Sequence, residues 1–189
     1  MKPTAFVLMT IVLFRMVNMD KVILVDERDR ETGQLEKMAA HREGRLHRCF
    51  SIFIFNGKGE LLLQQRAASK YHSGGLWTNT CCSHPRLGEL VLNAAHRRLM
   101  EEMGFDCPLE EKFTFIYKSR LDHDLIEHEF DHVFFGEYKK DPKPDPAEVG
   151  DWKRVDLVEL KKEATNHPEH YTEWLKIILP KVISIYRLP

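Results

Sequence analysis

The chain has 189 residues, of which 30% are charged and 43% are hydrophobic, and its formal net charge is -1. This length suits a single domain that can bury a hydrophobic core without disulfide bonds or a structural metal. The near-neutral charge leaves no broad basic surface, so we expect neither a nucleic-acid binder nor a membrane-surface binder.

The first 19 residues form a separate N-terminal stretch with an apolar run from Ala5 to Phe14. The run is too short to span a bilayer, and no A-x-A cleavage pattern follows it. Met19 is followed at once by "DKVILVDERD", which predicts a first strand and a turn. We therefore expect residues 1–19 to be a leader from an over-long gene start and residues 20–189 to form the domain. An export signal is the alternative.

Two elements in the middle of the chain are predicted from their apolar patterns. "RCFSIFIFNGKGELLLQQR" predicts a β-hairpin, because two apolar runs flank the turn sequence "NGKG". "ELVLNAAHRRLMEEMG" predicts a helix that ends at Gly104, because glycine favours the C-terminal cap. The apolar residues expected to face the core from this helix are Leu92, Ala95, Leu99 and Met103.

The second half of the chain continues with strands and a closing helix. "FTFIYKSRL" and "IEHEFDHVFFGEY" predict strands, and "DPKPDPAEVGDWKRVD" predicts a proline-rich loop that leads into a short strand. "HYTEWLKIILPKVISIY" predicts an amphipathic helix that is interrupted at Pro180. Mixed strands and helices in this order indicate an α/β or α+β domain.

The polar side of the middle helix carries Arg97, Arg98, Glu101 and Glu102. Residues four apart share a helix face, so solvated ion pairs are the ordinary explanation of such a run. A wider pattern favours a function instead. The residues Glu89, Arg97, Glu101, Glu102 and Gly104 resemble the Nudix box, G-x5-E-x7-R-E-U-x-E-E-x-G-U.

The box departs from the pattern at two positions. Ser83 stands where the first glycine belongs, and Arg98 stands where the first glutamate of "REUxEE" belongs. That glutamate helps to hold the Mg²⁺ of a pyrophosphohydrolase, so its replacement weakens a hydrolysis site. A guanidinium at this position instead favours diphosphate binding, because it pairs with phosphate oxygens in a bidentate way.

The stretch "TNTCCSHP", residues 78–85, precedes this box with two adjacent cysteines and a histidine. Four cysteines in a chain of this length do not suggest a disulfide framework, so we expect free thiols and a cytoplasmic protein. The stretch and the degenerate box together closely resemble type I isopentenyl-diphosphate Delta-isomerases. The resemblance runs from about Val22 to Trp174 and includes "LEKMAAH", "RLH", "QQRAASK" and "EHE".

This resemblance implies a fold and a reaction. The fold would be a single Nudix-type domain with mixed β-sheets packed between helices. The reaction would interconvert isopentenyl diphosphate and dimethylallyl diphosphate, with divalent metals and without flavin. A double bond that moves through a carbocation-like intermediate needs an acid, a base and no free water. By resemblance, Cys82 and Glu129 are that pair, Tyr117 orients or relays a proton, and Cys81 is a packing residue.

The resemblance also implies a metal site with three histidines and two carboxylates. Its ligands would be His41, His47, His84, Glu127 and Glu129. Glu127 and Glu129 lie two apart on a predicted strand, so both project from one face. This donor set suits Zn²⁺, Mn²⁺ or Mg²⁺. His128 and His132 fall on the opposite strand face, so we exclude them.

Further residues are assigned to the substrate by the same resemblance. Glu102 and the backbone oxygen of Cys82 would hold a second metal, Mg²⁺, that arrives with the substrate. The diphosphate-binding cations would be Lys37, Arg66, Lys70 and Arg98. Trp174 would face the cation, although a core position on an amphipathic helix is an equally good interpretation. We expect a monomer or weak dimer.

Two other functions remain open from the sequence. A Nudix pyrophosphohydrolase of a nucleoside diphosphate derivative predicts an intact "REUxEE", whereas this chain has "RRLMEE". A catalytically inactive binding or metal-storage module predicts the loss of Cys82 or Glu129, and both residues are present.

Overall fold

A nine-stranded mixed sheet and four α-helices make up the part of the chain, residues 21–186, that the computed structural model describes. The proposed leader lies outside the described residues. The strands are β1 Lys21–Val25, β2 Glu31–Glu36, β3 His47–Phe55, β4 Leu61–Arg66, β5 Trp77–Thr78, β6 Cys81–Ser83, β7 Leu109–Arg120, β8 Ile126–Glu137 and β9 Val149–Val155. The helices are α1 Lys37–Glu43, α2 Val91–Met103, α3 Leu157–Asn166 and α4 Glu173–Tyr186.

Strand β3 lies at the centre of the sheet. It runs parallel to β8 over its whole length, from the pair His47–Glu129 to the pair Phe55–Glu137. It also runs antiparallel to β6, where Ser51 lies opposite Cys82. Because β3 is covered on both faces, its sequence is a nearly continuous apolar run. This pairing places the cysteine strand and the glutamate strand on either side of one central strand.

The predicted hairpin is only partly correct. Strands β3 and β4 are joined by the expected turn, but they pair only at Phe55 and Leu61. The two strands then separate, since β3 pairs with β6 and β8 while β4 pairs with β9 and β5. The predicted strands β7, β8 and β9 are confirmed.

Two hydrophobic cores cover the two faces of the sheet. Alternate residues of β3 belong to different cores, as the period of a strand requires. Phe50 and Ile52 pack with Leu99 of α2, whereas Phe53 packs with residues of α3 and α4, among them Leu175. A mixed sheet packed between helices, as expected, is therefore confirmed.

Helix α2 buries three of the four residues predicted to face the core. Ala95, Leu99 and Met103 are buried as expected, but Leu92 is 41% exposed. At about 100° per residue, the buried face is centred near Ala95 and Glu102, and Leu92 lies on its flank. Glu102 is only 4% exposed. The centre of the buried face thus includes the polar side chain of Glu102, which a search for apolar residues does not find.

The ends of α2 and the interior of α4 test two further predictions. Gly104 has φ +72° and its amide donates to Met100 O, so the predicted C-cap is confirmed. The interruption at Pro180 is wrong, because α4 continues through it. The buried residues Ile178 and Val182 on either side pack into one core, which stabilises the helix despite the lost donor.

Helix α1 was not predicted, although it carries two expected site residues. The side chain of Glu36 caps it, because its carboxylate oxygens accept hydrogen bonds of 2.8 Å from the amides of Met38 and Ala39. The helix ends at Gly44, with φ +61°. Helix α3 was also missed. Within residues 21–186, no helix is long and apolar enough to cross a membrane.

Candidate active site

One cavity collects residues from every layer of the fold. It lies between α1, α2 and the ends of strands β3, β6, β7 and β8, with α4 as a further wall. Every residue that the sequence predicted for the site lines this cavity, except His47. His47 is fully buried behind it and contacts His84 and Glu129.

Three imidazoles and one carboxylate converge at the cavity wall. The ligand atoms of His41, His47, His84 and Glu129 lie within 4.8 Å of one another. Nε2 of His84 is 3.0 Å from Glu129 Oε1 and 3.2 Å from Nε2 of His47. His47 Nε2 is in turn 3.4 Å from Glu129 Oε1. Such a group of nitrogen and oxygen donors suits a divalent transition metal.

Hydrogen bonds at Nδ1 fix the ring orientations of His41 and His47. His41 Nδ1 donates to Lys37 O and His47 Nδ1 donates to Arg45 O, each at 2.8 Å. A carbonyl can only accept, so each Nδ1 carries the proton and each Nε2 presents a lone pair. His41 Nε2 is buried and has no hydrogen-bond partner within the described part of the chain. This arrangement is typical of histidines that bind a metal, and the residues present therefore fit a divalent ion.

Glu127 lies beside this group and not within it. Its carboxylate forms a second group with His41 and His72, whose ligand atoms also lie within 4.8 Å of one another. His72, which is 4% exposed, is not among the site residues predicted from the sequence. It lies two residues after Lys70, in the segment directly before the cysteine motif, and that position was the available signal.

The excluded histidines lie elsewhere. His128 Nδ1 donates to Gly44 O at 3.0 Å. His132 lies between Asp29 and Glu111, at 3.1 and 3.3 Å. Neither histidine lines the cavity, which confirms that they are separate from it.

The proposed acid and base have opposite protonation states. Burial raises the pKa of the Cys82 thiol, although Arg66 opposes the shift, so the thiol keeps its proton. Burial also acts to raise the pKa of Glu129. The neighbouring imidazoles of His84 and His47, whose Nε2 atoms lie 3.0 and 3.4 Å from Glu129 Oε1, outweigh it and hold the pKa of Glu129 well below its usual range. The cavity thus contains one protonated acid and one ionised base.

Tyr117 connects the two carboxylates of strand β8. Its hydroxyl is 2.5 Å from Glu129 Oε2 and 3.1 Å from Glu127 Oε2, and it lies directly opposite Glu129 in the sheet register. Burial, with the charges of both carboxylates, raises the pKa of Tyr117, so its hydroxyl is a donor. Burial and the charge of Glu129 raise the pKa of Glu127.

The predicted diphosphate-binding cations also line the cavity. Arg98 Nη2 is 2.5 Å from Glu102 Oε1 and 3.1 Å from Glu148 Oε1, and Lys70 also pairs with Glu148. Lys37 lies with its ammonium 4.8 Å from a tyrosine ring, and burial, with Arg66, lowers its pKa. Arg98 thus lies beside Glu102, the carboxylate expected to hold Mg²⁺, and Lys70 shares Glu148 with Arg98. Lys37 lines the cavity from α1.

Arg66 and Trp174 form another wall of the cavity. The Arg66 guanidinium lies 5.2 Å from the centroid of the Trp174 ring. Trp174 is 3% exposed, and its indole N–H donates to Asn79 Oδ1 at 3.2 Å. The core position of Trp174 is therefore confirmed, and the same residue also lines the cavity, while its role facing a cation stays a prediction.

The "TNT" part of the motif is a buried polar network that positions its neighbours. Asn79 Nδ2 donates to Cys81 O at 2.9 Å, which fixes the backbone just before Cys82. Gln64 Nε2 donates to Thr80 O and to Glu102 Oε2, both at 3.0 Å. The network links the cysteine strand to α2. Cys81 is fully buried among core residues, as its predicted packing role requires.

The sequence matches known proteins over most of its length. The NUDIX domain profile matches residues 45–175. The chain is 56% identical over 165 residues to isopentenyl-diphosphate Delta-isomerase 2 of Aromatoleum aromaticum, with 87% of each chain covered. It is 54% identical to isopentenyl-diphosphate Delta-isomerase 2 of Photorhabdus laumondii, which covers 85% of this chain and 92% of that protein.

Solved structures share the fold at low sequence identity. The protein DR0079 from Deinococcus radiodurans has a TM-score of 0.74 at 19% identity, over 88% of this chain and 99% of that one. The MutT protein from Methanosarcina mazei has a TM-score of 0.62 at 17% identity, over 76% and 96%. These structural similarities support the fold, and the relatives with 54–56% identity identify the family. The chain belongs to the isopentenyl-diphosphate Delta-isomerase family of NUDIX-domain proteins.

Proposed function

We propose that this protein is an enzyme that interconverts isopentenyl diphosphate and dimethylallyl diphosphate. The observation that carries the proposal is the position of the Cys82 thiol and the Glu129 carboxylate in one cavity, and the raised pKa of the thiol and the lowered pKa of the carboxyl group suit an acid and a base. The relatives' names support the substrate. The departure from the hydrolase box at Arg98 argues against a pyrophosphohydrolase.

The diphosphate would bind at the cationic end of the cavity. Lys37, Arg66, Lys70 and Arg98 line it and offer ammonium and guanidinium donors. Glu102 lies beside Arg98 and is held by Gln64, so its carboxylate is placed to share a Mg²⁺ with the phosphates. The backbone oxygen of Cys82 would be the second protein ligand of that Mg²⁺.

The hydrocarbon end of the substrate would then lie between the acid and the base. Cys82 donates its S–H proton to the terminal alkene carbon, which leaves a tertiary cation at the adjacent carbon. Glu129 removes a proton from the carbon next to the C–O group, and the new double bond forms there. Tyr117 orients Glu129 and offers a relay for the proton back toward the thiol.

The surroundings favour this chemistry over the capture of water. Trp174 lines the cavity, and cation–π contact with its ring would stabilise a developing cation by about 0.5–2 kcal/mol. His41, His47, His84 and Glu129 would hold a divalent ion, which would supply positive charge beside the Glu129 carboxylate. We propose Zn²⁺, Mn²⁺ or Mg²⁺ at this centre, no flavin, and a monomer or weak dimer as the working form.

The experiment is a product assay on the purified protein with isopentenyl diphosphate and Mg²⁺. We expect dimethylallyl diphosphate to form without the release of inorganic phosphate. The same preparation is tested for phosphate release from nucleoside diphosphate derivatives. Hydrolysis of those compounds without isomerisation would support the pyrophosphohydrolase instead.

A further inference from the structure

His72 points a ring nitrogen toward the metal-binding side of the cavity. Its side chain is buried, and its Nε2 lies 3.9 Å from Glu127 Oε1. This separation is too long for a hydrogen bond. Two ligands on opposite sides of one ion, each about 2.0–2.2 Å from it, are separated by about this distance.

The backbone of the β4–β5 loop directs His72 inward. Ser73 and Gly75, which follow it, have φ values of +51° and +79°. At Gly74, a Cβ atom would lie 2.7 Å from Ala68 O, so the loop closes tightly on itself. Arg66 Nη2 donates to the carbonyl of His72 at 3.1 Å. The tight closure of the loop and the hydrogen bond from Arg66 therefore fix the backbone at His72.

Two groups of donors share one atom of His41. The first group contains His47, His84 and Glu129, and the second contains His72 and Glu127. His41 Nδ1 is committed to Lys37 O, so Nε2 is the atom that serves both groups. One lone pair binds one ion, so the two groups do not hold two separate ions that both use His41.

We propose that His72 is a fourth imidazole ligand of the metal centre. A single ion on His41 Nε2 would then take donors from both groups. The six donors would be His41, His47, His72, His84, Glu127 and Glu129, and the two groups, which share only His41 in the structure, would close around that ion. Six is a common coordination number for divalent metals, and four nitrogen donors favour a transition ion such as Mn²⁺ or Zn²⁺ over Mg²⁺. The inference rests on the metal centre of the proposed function, but its test does not depend on the reaction.

The first measurement counts the nitrogen ligands directly. The wild-type protein is stripped with a chelator, loaded with Mn²⁺ and studied by electron spin-echo envelope modulation. We expect coupling to four imidazole nitrogens. Coupling to three would overturn the proposal and would leave His72 as a cavity wall that contacts Trp174 edge-to-face.

The second measurement uses His72→Leu, which removes the donor and keeps an apolar side chain of similar size. We expect Mn²⁺ affinity, measured by competition with a chelating indicator, to fall at least about tenfold. The visible bands of the Co²⁺-loaded protein should also change. His128→Leu is the matched control on β8, because His128 lies outside the cavity. Unchanged affinity and bands in His72→Leu would contradict the proposal, and thermal unfolding of the metal-free variants checks that both fold.

A failure of the proposed function gives a different pattern. If the wild type holds a metal through four nitrogens but does not isomerise the diphosphate, the ligand assignment stands and the proposed reaction is wrong. If it isomerises the substrate and only three nitrogens are found, the reaction stands and His72 is not a ligand.

Discussion

Tyr117 lies directly opposite Glu129 on the neighbouring strand, and its hydroxyl is 2.5 Å from Glu129 Oε2. The other oxygen of the same carboxylate faces His47 and His84. Both oxygens of Glu129 are therefore held, and the direction of its remaining lone pairs is fixed by the sheet register. A base held in this way loses little entropy when it accepts a proton from a bound substrate.

Tyr117→Phe removes the hydroxyl but keeps the ring. A hydrogen bond to a charged group contributes about 1.5–3 kcal/mol, so we expect kcat to fall about 10–100-fold with little change in KM. Hydrogen bonds to the ionised form lower the pKa of a carboxyl group, so their loss raises the pKa of Glu129. The acidic limb of the kcat–pH profile should move to higher pH. Tyr138→Phe, outside the cavity, is the control, and an unshifted profile in Tyr117→Phe would contradict this role.

Arg98→Glu restores the hydrolase glutamate at the position where this chain departs most from the Nudix box. It places a carboxylate beside Glu102 and Glu148 and removes a guanidinium from the diphosphate end. We expect kcat/KM for isomerisation to fall at least about 10–100-fold, chiefly through KM, as the loss of a charge-assisted contact predicts. Strong hydrolysis should not appear.

The measurement is steady-state kinetics with phosphate release followed in parallel. Arg97→Gln is the neighbouring control, because Arg97 pairs with Glu89 and does not line the main cavity. Unchanged KM and kcat in Arg98→Glu would mean that Arg98 serves only as an ion-pair partner.

The pair of Glu89 and Arg97 has a structural role with a defined pH dependence. Glu89 accepts two hydrogen bonds of 2.7 Å from Arg97, and this contact is the main cause of its lowered pKa. A carboxyl group with a lowered pKa contributes stability above its usual value, 4.5, and loses it as the pH falls through the folded-state pKa. Glu89→Gln should therefore lower the free energy of unfolding by about 1–2 kcal/mol at pH 7.

The difference between Glu89→Gln and the wild type should shrink as the pH drops below 4.5. Urea unfolding at a series of pH values measures it, and a difference that stays constant with pH would refute the electrostatic origin.

Features encoded in a contiguous stretch of sequence could be predicted, whereas contacts between distant stretches could not. The "WTNTCCSHP" motif and the box define a contiguous pattern, and every residue assigned from it lies in or directly behind one cavity. The pairing of β3 with β8 could not be predicted, because parallel partners are chosen by contacts across about 80 residues of chain. The position of His72 near Lys70 was only a weak signal, since its neighbours Glu127 and His41 come from distant elements. Polarity alone predicts an exposed Glu102, although it is buried, and only its place in the Nudix box indicated that it belongs to the site.

The leader remains a prediction, since residues 1–19 lie outside the described part of the chain. Strand β1 begins at Lys21, and none of the proposed site residues precedes it. We expect a protein that starts at Met19 to fold and to isomerise the substrate with the kinetic constants of the full chain. Circular dichroism and steady-state assays of both forms decide this. Loss of folding in the shorter form would mean that the run from Ala5 to Phe14 belongs to the core.

The exchange of solvent deuterium into the product tests the central claim, that Cys82 and Glu129 move protons on an isopentenyl diphosphate. The protein, Cys82→Ala and Cys81→Ala are each incubated in D₂O with isopentenyl diphosphate and followed by NMR. We predict deuterium in the methyl group of dimethylallyl diphosphate for the wild type and for Cys81→Ala, and no turnover for a folded Cys82→Ala. Deuterium incorporation by Cys82→Ala, or its loss in Cys81→Ala alone, would contradict the assignment of the acid.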